Sequence, residues 1–155
     1  MGEVDVVTTD VDLSGAEFFG RRPFKTPVHV TARAENHIGI VTLDCSYDFT
    51  LSVNCDRCLA PMEIPVSRTV SHTVVRALEN EEDEDDFLVT PDGIVELDEL
   101  ATNDILPELP TRFLCREDCK GLCPVCGANR NLVDCGCTEK TVDPRLEPLK
   151  KLLED

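Results

Sequence analysis

Aromatic and basic side chains are scarce in this chain. Among its 155 residues there is no tryptophan, one tyrosine and six phenylalanines, so a core must rely mainly on valine, leucine and isoleucine. Fifteen Lys and Arg residues stand against 31 Asp and Glu, which gives a formal net charge of −16. This charge excludes a protein whose whole surface attracts nucleic acid, and it argues against docking on an anionic membrane.

Long apolar runs and catalytic motifs are also missing. No stretch approaches the ~18 apolar residues that a transmembrane helix needs. The N-terminal stretch carries acids where a signal peptide needs a basic region and an apolar run, so we expect a cytoplasmic protein. The sequence has no G-x-S-x-G, P-loop or G-x-G-x-x-G motif, and its three histidines form no ligand pair. We therefore expect that the protein is not an enzyme.

Cysteine, by contrast, is abundant. Nine cysteines are present, and six of them lie within residues 115–137. A disulfide framework is not expected in a reducing cytosol, and clustered pairs there indicate metal or redox chemistry. The sequence thus directs attention to thiol clusters.

Hydrophobic alternation indicates the fold. Residues 41–54 alternate strictly between apolar and polar side chains, which predicts a strand with one buried face. Weaker alternation marks residues 28–34, 62–66 and 70–74, and residues 4–13 are also strand-like. We predict a mainly β (α+β) protein: an antiparallel sheet or partly open barrel, with one or two short helices and a C-terminal Cys-rich zinc-binding segment.

Charge suggests two domains. Residues 1–110 hold 7 basic and 23 acidic side chains, and residues 111–155 hold eight of each. The first is predicted to be an acidic antiparallel β body with a short helix near residues 98–106, which Asp98 can cap. The second is predicted to be a Cys-rich zinc segment followed by a C-terminal helix, which begins either at Asp143-Pro144 or, because proline disrupts a helix interior, at Pro148.

The stretch between these elements is strongly acidic. Residues 79–86 contain seven acids and one Asn, which predicts either a solvated loop or a segment whose negative charge attracts a basic partner. Strand-like character resumes at Phe87 to Val89 and at Ile94 to Leu97, on either side of a turn at residues 91–93.

The most specific motif is Cys123-Pro-Val-Cys126-Gly127. A C-x₂-C turn points two sulfurs to one side at the separation of tetrahedral ligands, and the following glycine can adopt positive φ. Gly121 and Gly136 are expected to allow similarly tight approach. These features favour a metal site over two ordinary buried thiols.

The remaining cysteines can complete two four-sulfur sites. One zinc is expected on Cys123, Cys126, Cys135 and Cys137. A second zinc would bind Cys55, Cys58, Cys115 and Cys119. This set requires the C-x₂-C turn, or knuckle, that follows the long strand to meet the segment after Pro110. Cys45 lies on the apolar face of the long strand, so we assign it to the core. Six clustered sulfurs cannot all bind one tetrahedral ion, and closed all-sulfur sites hold structure rather than a catalytic water.

These cysteine motifs resemble the YceD family, in the branch that has the C-terminal Cys-rich segment. The resemblance rests on Cys55-Asp-Arg-Cys58-Leu59, on Leu109-Pro110, on the string from Cys115 to Asn129, on Cys135-Gly-Cys137 and on Asp143-Pro144-Arg145-Leu146. It implies a non-enzymatic role in the accumulation of large-subunit (23S) ribosomal RNA. The family's gene commonly neighbours that of a small zinc-ribbon protein of the large ribosomal subunit.

The charge of the chain constrains how such a role could work. The Cys-rich segment could present a local basic face to 23S rRNA precursor, through Arg112, Arg116, Lys120, Arg130 and Lys140. Alternatively, the acidic body could hold a basic ribosomal protein of the large subunit before assembly, and electrostatic complementarity favours this route. A different hypothesis is a zinc- or redox-responsive thiol protein that uses Cys55 and Cys58 as a dithiol switch.

Overall fold

One five-stranded sheet carries most of the secondary structure. The computed structural model describes residues 3–78 and 87–138. Its elements are β1 (Val4–Val11), β2 (Val28–His37), β3 (Ile40–Asn54), β4 (Pro61–Val75), β5 (Phe87–Val89), the helix α1 (Leu97–Ile105) and a 3-10 turn (Leu106–Glu108). The strands lie side by side in sequence order, so the sheet is open, and the predicted mainly β fold is confirmed.

The sheet is mixed rather than wholly antiparallel. β1 and β2 pair antiparallel, as do β2 and β3. Hydrogen bonds between Ser46 and Thr69 and between Ser52 and Glu63 show that β3 and β4 also run in opposite directions. The short β5 pairs with β4 in parallel, which alternation along the chain could not reveal because it reports which face is buried and not strand direction.

The chain divides into two compact units. Unit 1 comprises Met1–Val53 and Pro61–Phe113, and unit 2 comprises Asn54–Ala60 and Leu114–Asp155. The loop between β3 and β4 therefore belongs to the same unit as the Cys-rich segment. Eight cysteines lie in unit 2, and Cys45 alone lies in unit 1.

The core of unit 1 follows the predicted alternation of β3. Every second side chain of this strand is buried, namely Leu43, Cys45, Tyr47, Phe49, Leu51 and Val53. Val41 is only half-buried. The core assignment of Cys45 is confirmed, since none of its surface is exposed. α1 contributes Leu100, Ala101 and Ile105 to the same core.

A polar contact lies within this core. The hydroxyl of Tyr47 donates to Asp104 Oδ2 at 2.5 Å, and His72 Nε2 lies 2.8 Å from the same oxygen. Burial and then the hydrogen bond to Asp104 raise the pKa of Tyr47 far above its usual value, so this hydroxyl stays protonated. The contact joins α1 to β3 and β4 and satisfies polar groups that would otherwise be costly to bury.

Two local predictions were wrong. The helix begins at Leu97, with Glu96 as its N-terminal cap residue and no side-chain capping bond, so Asp98 lies in the first turn rather than at the cap. Its carboxylate is still favourably placed near the positive end of the helix dipole. Ile94 to Glu96 form no strand and lead directly into the helix.

Two further predictions lie outside the described residues: the acidic run 79–86 and the C-terminal helix after Asp143. Among the residues that are described, no helix is long and apolar enough to cross a membrane.

Candidate metal centres

The first centre joins two distant parts of the chain within unit 2. Cys55 and Cys58 lie in the loop after β3, and Cys115 and Cys119 follow Leu114. The Sγ atoms of Cys55 and Cys119 are 3.8 Å apart, and those of Cys58 and Cys115 are 3.6 Å apart. All four sulfurs lie within 4.8 Å of one another. The structure thus brings together the four residues that the sequence predicted for the second zinc.

These separations fit one tetrahedral ion. Four thiolates at about 2.3 Å from a zinc ion lie about 3.8 Å from each other. None of the nine cysteines forms a disulfide, so the four sulfurs are not bonded to one another. The first centre is therefore positioned to bind a metal ion.

The second centre is formed by Cys123, Cys126, Cys135 and Cys137, whose sulfurs also lie within 4.8 Å of one another. The spacer between its two pairs turns back near Asn129, whose carbonyl accepts the N–H groups of Leu132 and Val133 at 3.0 Å. This turn returns the chain to the first pair, and asparagine and glycine are residues that favour such turns. That either centre binds zinc stays a prediction.

The C-x₂-C knuckles of the two centres share one backbone structure. In each, the N–H of the first cysteine donates to the carbonyl five residues later at 2.8 Å. The N–H four residues later donates back to the carbonyl of that cysteine, at 3.0 Å in the first knuckle and 2.8 Å in the second. The residue at this fourth position has positive φ, +75° at Gly127 and +60° at Leu59. The predicted role of Gly127 is confirmed, whereas Leu59 adopts a conformation that is unfavourable for a residue with a Cβ.

Backbone amides and neighbouring thiols set the acidity of the sulfurs. The backbone N–H of Cys58 is the main cause that lowers the pKa of Cys55 to about 6, and that of Cys126 does the same for Cys123. Hydrogen bonding from the thiol to Cys126 and then to Cys135 raises the pKa of Cys137 to about 12. Each centre therefore contains at least one thiol that loses its proton more readily than usual, and an ion must displace the protons of the others, so metal affinity should fall as pH falls.

Two residues that sequence reasoning missed support the first centre. Arg57, between the two cysteines of the first knuckle, donates from its guanidinium to the carbonyl oxygen of Cys119 at 2.9 Å. Asn131 donates from its side-chain amide to Cys119 Sγ at 3.2 Å, and this bond is the main cause that lowers the pKa of that thiol. No sequence motif identifies either residue as a hydrogen-bond partner of Cys119, because the two residues reach it only in the folded chain.

Gly121 packs directly against the first knuckle. A Cβ at this position would lie 3.1 Å from the carbonyl oxygen of Arg57, and that oxygen also accepts the N–H of Leu122 at 3.1 Å. The close approach predicted for Gly121 is confirmed. The one predicted for Gly136 is not found among the described residues, none of which comes within 4 Å of its Cβ position, and its φ of +62° is what requires glycine.

Replacing Gly121 with Ala should destabilise unit 2 more than replacing Gly127 with Ala. The two glycines have φ of +73° and +75°, so both changes cost about 1 kcal/mol of backbone strain. Only Gly121→Ala also crowds the Arg57 carbonyl and weakens the bond from Leu122, for about 1 kcal/mol more. Denaturant unfolding of the metal-loaded variants measures the difference, and equal losses would show that this packing contributes nothing.

Comparisons with known proteins agree with the cysteine pattern. The family model "Large ribosomal RNA subunit accumulation protein YceD" matches residues 43–153, a range that includes all eight clustered cysteines. The chain is 28% identical over 134 residues to the uncharacterized protein YlbN of Bacillus subtilis, covering 83% of this chain and 76% of that protein. It is 29% identical over 102 residues to the uncharacterized protein Rv2926c of Mycobacterium tuberculosis.

The second match covers 64% of this chain and 49% of the mycobacterial protein, so the chain spans about half the length of that relative. No solved structure matches the chain. Because the family model covers well over half of the sequence, the chain belongs to the family of the large ribosomal RNA subunit accumulation protein YceD, and this membership supports a ribosome-related role at the family level.

Proposed function

We propose that the chain is a non-enzymatic factor in large ribosomal subunit biogenesis, which acts in the cytoplasm and supports the accumulation of 23S rRNA. The observation that carries this proposal is the family match over residues 43–153. The two closed sulfur sets agree with a structural rather than a catalytic role, because four thiolates fill a tetrahedral shell and leave no position for a reacting water.

We propose zinc as the ion of both centres. Tetrahedral four-sulfur sets suit zinc or iron–sulfur clusters, and the C-x₂-C knuckle that each centre contains once is typical of structural zinc. Bound at the first centre, zinc would hold the loop 54–60 to the segment that begins at Leu114. Structural zinc sites supply roughly 10–16 kcal/mol of binding free energy, which becomes folding free energy.

The direct partner that we propose is a basic ribosomal protein of the large subunit rather than naked rRNA. Unit 1 contains 22 acidic and seven basic residues, so it repels phosphate and attracts basic chains. In the described part of unit 2 four basic and four acidic side chains cancel, and each four-thiolate zinc centre would add a formal charge of about −2.

Two of the basic residues expected to face RNA lie beside negative groups, whereas Arg112 and Lys120 are exposed. The Arg116 guanidinium lies 3.6 Å from the carboxylate of Asp118, and that of Arg130 lies 4.0 Å from Cys123 Sγ. Lys140 lies outside the described residues. Charge therefore favours the protein partner over RNA on both units.

Neutralising the acidic run should slow association with such a partner. Replacing the seven acids within residues 79–86 by Asn and Gln lowers the steering field, so the association rate at low salt should fall about tenfold and lose much of its salt dependence. A variant with the same eight residues in scrambled order keeps the charge and should associate like the parent. Stopped-flow binding to a purified basic large-subunit protein measures the association rate of both variants. An unchanged association rate in the neutral variant would refute the hypothesis that the acidic run attracts a basic partner.

The proposed function is tested in cells and in vitro together. Depletion of the protein should lower the ratio of 23S to 16S rRNA, and the purified protein should bind basic large-subunit proteins but not naked 23S rRNA. An unchanged rRNA ratio would overturn the biogenesis role. Tight binding to naked 23S rRNA would instead reverse the choice of partner.

A further inference from the structure

One side chain connects the two candidate metal centres. Asn131 lies in the spacer from Gly127 to Asp134, whose flanking residues Cys126 and Cys135 are both in the second centre. Its side-chain amide nevertheless donates to the sulfur of Cys119 in the first centre, with Nδ2 and Sγ 3.2 Å apart. The spacer of one centre thus supplies a hydrogen bond to a ligand of the other.

The orientation of this amide is fixed by a second bond. Asn131 Oδ1 accepts the backbone N–H of Lys120 at 2.8 Å. Because a backbone N–H can only donate, the oxygen must face Lys120, and the NH₂ group is left facing the sulfur. The backbone N–H of Asn131 donates to Asn129 Oδ1 at 2.9 Å, which holds the residue within the spacer turn.

Backbone bonds join the same two stretches. The N–H of Arg130, in the spacer, donates to the carbonyl of Gly121 at 2.9 Å, and Leu122 forms an antiparallel bridge with Asn129. Gly121 is in turn packed against Arg57 of the first knuckle. A spacer held in place by an ion at the second centre is therefore already positioned against the first.

We propose that Asn131 couples the two centres, so that an ion at the second centre raises the affinity of the first centre for its own ion. This inference rests on the proposed metal centres. When Cys126 and Cys135 bind one ion, the spacer loses its freedom, and the amide reaches Cys119 without a further ordering cost. Coupling between binding free energies is reciprocal, so the first ion raises the affinity of the second centre by the same factor.

The expected size follows from the kind of contact. Hydrogen-bond donors to metal ligands typically change metal affinity by roughly 10–100-fold when they are removed. The coupling factor should therefore be on the order of tenfold to a hundredfold, within the usual range for linked sites.

Co²⁺ titration of the full chain, followed by thiolate-to-cobalt absorption and chelator competition, measures this factor. One variant, Cys58→Ser with Cys115→Ser, retains only the second centre, and another, Cys126→Ser with Cys137→Ser, retains only the first. The parent chain gives two Co²⁺ association constants, and each single-centre variant gives one. The coupling factor is the product of the two parent constants divided by the product of the two single-centre constants. We expect a value well above one in the parent chain.

Asn131→Asp should abolish this coupling. Asp has the same size and keeps an acceptor for Lys120, but it offers the sulfur no donor. For this variant, the two-centre chain and both single-centre chains all carry Asn131→Asp. If the new charge changes the Co²⁺ affinity of a centre by the same factor in each chain, that change cancels from the coupling factor. Leu132→Ala is the matched control, because Leu132 lies in the same turn and is 81% exposed; it should retain the parent coupling.

A coupling factor near one in the parent, or an unchanged factor in Asn131→Asp, overturns the inference while leaving the metal centres intact. Failure of the parent to bind Co²⁺ at all overturns the metal centres as well. Unaltered Co²⁺ affinity of the second centre alone, in Asn131→Asp lacking the first centre, shows that the variant still folds around that centre.

Discussion

Replacing Leu43 with Asp is expected to unfold unit 1, whereas replacing the adjacent Thr42 with Asp is expected to leave it folded. Leu43 is only 7% exposed and lies among the apolar side chains of β3 and their neighbours. A carboxylate there would be buried without a partner, which costs several kcal/mol out of a total stability of about 5–15 kcal/mol. Loss of the cooperative unfolding transition in circular dichroism would report this result.

Thr42 points to the opposite face of the same strand and is half-exposed. Its replacement by Asp places a carboxylate opposite Glu35 on β2, which should cost only about 0.2–1 kcal/mol. Asn at position 42 avoids that repulsion and serves as the closer control. Equal tolerance of Asp at positions 42 and 43 would contradict the assignment of the buried face.

Replacing Cys126 with Ser is expected to release one zinc ion and to disorder unit 2 around residues 121–138, while the sheet of unit 1 survives. The variant leaves three sulfurs at the second centre, and binding free energy of roughly 10–16 kcal/mol at a structural zinc site depends on a complete ligand set. The first centre should keep its ion, because a loss of roughly 10–100-fold through the coupling is small against that free energy. Metal analysis and amide hydrogen exchange report the two effects separately.

Replacing Cys58 with Ser is expected to release the other ion and to free the loop 54–60 from the segment that follows Leu114. Cys45→Ser is the matched control, because Cys45 is fully buried in unit 1 and belongs to neither sulfur set. It should release no zinc. Full zinc retention by Cys126→Ser would refute the grouping of the ligands, and zinc loss from Cys45→Ser would show that a ligand had been mistaken for a core residue.

The sequence predicted the features that depend on local spacing. Alternation along β3 identified its buried side chains because a strand turns successive residues to opposite faces. The same alternation placed Cys45 on the apolar face of β3, which separated it from the clustered cysteines. The eight cysteines that remained then suggested two sets of four ligands. The structure brings together the same two sets.

Features that depend on the tertiary fold were not accessible in the same way. The parallel pairing of β5 with β4 joins residues whose separation in sequence gives no indication of contact. The same holds for the hydrogen bonds that Arg57 and Asn131 donate to Cys119. Leu59 shows a different limit, since the residue type itself does not indicate a positive φ. The likeness between its knuckle and that of Gly127 would have been a usable signal, because both are C-x₂-C turns with the same spacing.

Metal content and thiol accessibility of the purified full chain test the central claim most directly. Elemental analysis is predicted to give two zinc ions per chain. Under native conditions the eight clustered thiols should react with a thiol reagent only after a chelator removes the metal, because each is a ligand. A metal-free protein whose Cys55 and Cys58 titrate at once as free thiols, or are already oxidised to a disulfide, would contradict the account and favour a thiol-redox protein.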